Sequence, residues 1–229
     1  MDSLTRHRVR IGRVAGVTAL VLFAVHFVSI GLGPGNILHG NATTQSAIAY
    51  AAQHGRLLTL QGLLDGLGNT LLGILIVLLI AVAGADGILP RIAYVCAAAA
   101  VAVQWTHASI LSGLVDLAHR GGSDAGVMAL FTLGSTLDDA DAVVIPIAMI
   151  CAGWVLLRSP RVPSLVGWLT LAVAAFQSAL VVLANAGGPD LAPALIISGW
   201  LWMLGTGIAL LIKPASTHKL AGAVIPATA

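Results

Sequence analysis

Long apolar runs separated by short polar breaks set the frame of this chain. Apolar stretches cover about 14–33, 57–83, 92–117, 140–157, 164–184 and 193–212. A helix over each of them approaches or exceeds the ~30 Å hydrocarbon core of a bilayer at 1.5 Å per residue. The breaks hold turn formers: Gly84-Ala-Asp-Gly87, His119-Arg-Gly-Gly-Ser-Asp124, Arg158-Ser-Pro-Arg-Val-Pro163, Asn185-Ala-Gly-Gly-Pro-Asp190 and Lys213-Pro214. Residues 34–55 read as a polar loop with a short helix over 43–53.

The stretch 125–157 is the difficult one. As a single helix it would be about 50 Å long, more than the core needs. It would also carry Asp138, Asp139 and Asp141 near its middle. A split avoids both problems. Gly126 to Leu137 then lies as a short apolar helix on the outer membrane surface, and the fourth span starts at Ala140. The aspartates sit at its favourable N-terminus, and Pro146 kinks it. The expected fold is all-α: an integral membrane bundle of six transmembrane helices, with an extra outer surface helix between the third and fourth. Residues 1–13 and 213–229 flank it as cytoplasmic segments.

Composition settles the solvent. Hydrophobic residues make up 58% of the chain and charged ones 9%, against about 25% charged in a soluble domain. No soluble fold of this size hides so much apolar surface, so the lipid bilayer is the first partner. The basic start followed by an apolar run also fits a cleaved signal peptide. The length of the run and the lack of a small-x-small site favour an uncleaved helix.

Charge sets the orientation. With both termini inside, Arg6, Arg8, Arg10, Arg13, Arg91, Arg158, Arg161, Lys213 and Lys219 lie on the inner side, and only Arg56 and Arg120 lie outside. That bias implies cytoplasmic termini. The Ala, Val, Gly and Leu bias suggests a bacterium, and hence its inner (cytoplasmic) membrane. The basic residues serve topology, so a net charge of +2 gives no nucleic-acid partner. Cys96 and Cys151 fall in apolar runs without CxxC spacing and read as small buried residues. No segment repeats another, which argues against a transporter-type internal repeat.

Polar residues inside the spans are the candidate chemistry. Gln61, Asp65 and Asn69 recur every four residues and line one stripe of the second helix, with His54 near it. A carboxylate in a membrane costs a few kcal/mol or more, so Asp65 should face protein or water. Gln104 and His107 share a face of the third span. His26 on the first and Gln177 on the fifth come to a similar height in the outer half. Together these residues should form an outward-facing polar pocket. Asp65 should lie within hydrogen-bond reach of His26, His107, Gln61, Asn69, Gln104 or a trapped water.

Three readings of that pocket compete. Polar side chains bonded across helices can simply hold a bundle together. His26, Asp65 and His107 are suitable ligands for a metal or haem, although no HxxxH or HExxH spacing supports them. A ligand or proton pathway would use Asp65 as the titrating group. No catalytic residue is assigned: there is no GxSxG, and Ser109 and Ser112 should bond back to their own helix. The reading carried forward is a small or lipidic ligand held by Asp65, His26, His107, Gln61, Asn69, Gln104 and Gln177. A redox or metal-dependent enzyme is one alternative. A subunit of a larger membrane complex, or a homo-oligomer, is another. The sequence assigns no cofactor. Gly62 and Gly66 form a small-xxx-small packing face, Trp168 suits an interfacial anchor, and Trp200 and Trp202 should pack inside.

One stretch also resembles a known family. Trp154-Val-Leu-Leu-Arg158-Ser-Pro-Arg-Val-Pro163-Ser-Leu-Val-Gly167-Trp168-Leu-Thr-Leu is similar to the fifth-helix entry of a bacterial multi-pass membrane family, the domain of unknown function numbered 4386. There a leucine-rich helix ends in arginine, and a short proline-containing turn leads into Gly-Trp-Leu. Arg158, Pro163, Gly167 and Trp168 match that pattern, and the second span, rich in glycine and leucine, is also similar. The resemblance implies a multi-pass fold over most of the chain and brings no activity and no catalytic residues.

Overall fold

The computed structural model describes residues 3–32, 44–121, 123–186 and 192–213. They form six helices: α1 (Ser3–Leu32), α2 (Thr44–Ala83), α3 (Ile88–His119), α4 (Asp124–Leu157), α5 (Ser164–Asn185) and α6 (Ala192–Ile212). All six hold a stretch long and apolar enough to cross a membrane, as a multi-pass membrane protein requires. Neighbours in sequence pack as neighbours in space, α6 closes against α1, and α2 reaches across to α4. This up-and-down course brings Arg6, Arg8, Arg10, Arg13, Arg91, Arg158, Arg161 and Lys213 to one end, and Arg56 and Arg120 to the other. The first part of the expected polar loop, up to residue 43, residues 122 and 187–191, and the tail after Lys213 lie outside the described residues.

Small residues let the helices approach. Lipid gives no hydrophobic drive between helices, so close van der Waals packing must hold them. A Cβ on Gly62 would sit 3.2 Å from the Ala108 backbone, and one on Gly66 would sit 3.0 Å from the Trp105 ring. Gly16 and Gly207 play the same part between α1 and α6, where a Cβ on either would lie 3.1 to 3.2 Å from the other's carbonyl oxygen. At the α4–α5 hairpin a Cβ on Gly167 would meet Leu157 at 2.9 Å. Gly167, one of the residues carrying the family resemblance, therefore has a packing reason to be glycine.

The basic end is tied together. The α2–α3 turn uses Gly84 at φ 61° and Gly87 at φ 119°, conformations that favour glycine. Arg161 Nη1 and Ser159 Oγ, from the α4–α5 turn, each donate to the Ala83 carbonyl at 3.1 Å. A cation and a hydroxyl thus cap the C-terminus of α2. Next to this cap lies a dry core that includes Leu75, Ile76, Leu79, Ile80, Ala152, Leu156, Val166 and Leu210.

Three sequence expectations are corrected here. The segment 126–137 is not a separate surface helix: α4 runs unbroken from Asp124 to Leu157, through Pro146. Ser123 caps its start by accepting from the Gly126 N–H at 3.2 Å. The short helix expected over 43–53 is likewise continuous with the second span, with His54 (φ −123°, ψ 22°) as a kink between the two parts of α2. The third span also continues past 117 to His119. The surplus lengths explain one another. The first turns of α4, the end of α3 and the start of α2 pack together in a second apolar cluster of Ala51, Leu58, Leu114 and Val127. Each overlong helix supplies the packing surface that the others need, so α4 has no reason to fold over onto the membrane.

Candidate functional site

A cavity of about 390 Å³ lies within the bundle, in the half away from the Arg161 cap. It is reached about 12 Å inside the end of α5, at Gln177, and about 12 Å inside the start of α6, at Trp200. Its wall draws on all six helices. Its polar lining residues are His26, Gln61, Asp65, Asn69, Gln104, Asp141 and Gln177. Its apolar lining includes Leu72, Ile145, Met149, Leu195, Ile196 and Met203. This is the mixture of apolar surface and a few convergent polar groups that marks small-molecule sites, and the volume falls in their range.

The polar lining is built mainly by α2. Gln61, Asp65 and Asn69 recur one turn apart and face inward together. Asp65 accepts from Ser29 Oγ of α1. Asn69 Nδ2 donates to Asp141 Oδ2 of α4 at 2.9 Å. The two carboxyl groups are therefore neighbours, one helical turn apart along α2. His26 reaches the site because α2 offers no side chain at Gly68, where an added Cβ would lie 3.1 Å from His26 Nε2. Gln177 Nε2 of α5 lies 3.5 Å from Ser198 Oγ of α6.

Six of the seven residues proposed from sequence thus line one cavity: His26, Gln61, Asp65, Asn69, Gln104 and Gln177. His107 does not. It is buried against Gly134 of α4, whose added Cβ would lie 3.6 Å from the imidazole. Residues three apart on a helix differ by about 60° in direction, enough to turn His107 toward α4 while Gln104 faces the cavity. His26, Asp65 and His107 are accordingly not one ligand set. Among the described residues no group of three His, Cys, Asp or Glu side chains is placed to hold a metal ion. His54 is not among the residues lining this cavity; at the kink, its ring stacks on Tyr50 with centroids 4.6 Å apart.

Sequence reasoning missed two groups. Asp141 was expected at a helix end near the surface, yet it lies seventeen residues into α4 and faces the cavity. Ser29 donates to Asp65 and was not among the groups expected beside it. Trp200 lines the cavity and packs against Phe23 and Phe27, with ring centroids 6.0 and 5.3 Å away. Ser109 and Ser112 do bond back to their own helix, to the carbonyls of Trp105 and Ala108 at 2.9 and 3.1 Å. No family model matches the chain, and no curated protein or solved structure is significantly similar to it.

Proposed function

We propose that this is a multi-pass protein of a bacterial cytoplasmic membrane, with both termini in the cytoplasm, that holds a small or lipidic ligand in its intramembrane cavity. The cavity carries the reading: about 390 Å³ lined by both polar and apolar side chains, where a purely structural polar network would close on itself. Gln61 Oε1 and Trp200 Nε1 support it, since both are buried on this wall without a hydrogen-bond partner among the described residues. Buried polar groups are normally paired, and a ligand or ordered water would pair these. The gathering of basic residues at one end supports the orientation.

Filling the cavity tests the reading. A Cβ on Gly199 would make only ordinary contacts, 3.6 Å from Gln177 Nε2 and 3.9 Å from Met203 Cε, so a larger side chain has room to enter. Native mass spectrometry of the purified protein should show a bound small molecule or lipid that Gly199→Phe displaces without loss of folding. The same adducts on wild type and Gly199→Phe, or none on wild type, would defeat the proposal.

A further inference from the structure

Resting on the ligand-cavity reading, we infer that the site selects a protonated amine carried on an apolar body. Two acidic side chains, Asp65 and Asp141, share the wall, and no lysine or arginine is found among the described residues lining it. Ser29 donates to Asp65 and Asn69 donates to Asp141. His26 is the sole basic side chain among the described lining residues.

The rest of the polar wall offers acceptors as well. Gln61 Oε1 is a buried acceptor without a partner among the described residues. Pro146 has no N–H to donate to the carbonyl of Ala142, one turn back, and both residues line the cavity. An ammonium group has three donors and no acceptor, so it matches such a surface. Low dielectric strengthens the attraction for a cation and the repulsion of an anion. Phosphates, carboxylates and fatty-acid headgroups are thereby disfavoured. The apolar wall of Leu72, Met149 and Leu195 accepts the body of the ligand. Trp200 Nε1, the unpaired donor, fits an oxygen on that body.

The test uses three probes of similar shape and different charge, titrated calorimetrically into the full-length protein in lipid nanodiscs: 2-phenylethylamine, 2-phenylethanol and 3-phenylpropanoate. The amine should bind about tenfold or more tighter than the alcohol, as one charge-assisted hydrogen bond allows, and the carboxylate should not bind measurably. Asp65→Asn and Asp141→Asn should each narrow the gap between amine and alcohol. If either variant fails to fold, the wild-type ratio decides by itself. Equal binding of amine and alcohol, or binding of neither, overturns the amine preference. The ligand-cavity reading fails by a different result, when Gly199→Phe leaves the co-purifying molecules unaltered.

Discussion

Trp202 and Thr170 show how a polar group is carried inside this bundle. Trp202 is 1% exposed, and its Nε1 donates to Thr170 Oγ1 at 2.9 Å. Thr170 in turn donates to the Val166 carbonyl at 2.7 Å. Thr170→Val should strand the indole N–H and cost about 1–3 kcal/mol. Thr170→Val combined with Trp202→Phe should cost less than the sum of the two single changes, because donor and acceptor leave together. Reversible unfolding in detergent would measure both, and additive costs would refute the coupling. At Asp65 the two substitutions should separate binding from folding. Asp65→Asn should keep thermal stability while weakening ligand binding. Asp65→Leu, which removes the acceptor of Ser29, should lower stability by about 1 kcal/mol. The stripe of Gln61, Asp65 and Asn69 was legible because helical period alone puts residues four apart on one face. Ser29 gave no such signal, since a serine in a membrane helix commonly bonds back to its own backbone.

At the scale of elements, the six helices were readable from hydrophobic length, and α5 and α6 came close to their observed bounds. The reading failed where it treated each helix alone against the bilayer. α2, α3 and α4 are 40, 32 and 34 residues long, and their shared surplus cannot be seen in any one of them. Spin labels at the exposed positions Ala129 and Ile150 test the continuity of α4. Their backbones should be about 32 Å apart along one helix. A distance several ångströms shorter would restore a bend near the aspartates. The cap on α2 invites a second test. Gly84→Ala meets both a left-handed backbone and Arg161 Nη1, which occupies the place of the added Cβ. It should destabilise by about 1–2 kcal/mol from the backbone alone, and an unchanged melting temperature would show that the turn relaxes.

For the whole molecule, orientation is the first matter to check. In a background lacking Cys96 and Cys151, an impermeant maleimide should label Ala125→Cys in intact cells and spare Lys213→Cys. The reverse pattern would invert the protein. The Arg161 cap has a wider consequence. It fastens one end of the bundle, with Leu75, Leu79, Leu156 and Leu210 packed beside it at no more than 1% exposure, while the other half is hollow. The shape is that of a cup rather than a tube. A solute that enters must leave by the same mouth unless the floor comes apart, and opening the floor means giving up both the cap and the packing beside it. Ligand loaded from one face of a vesicle should therefore wash out on that face, with no net crossing.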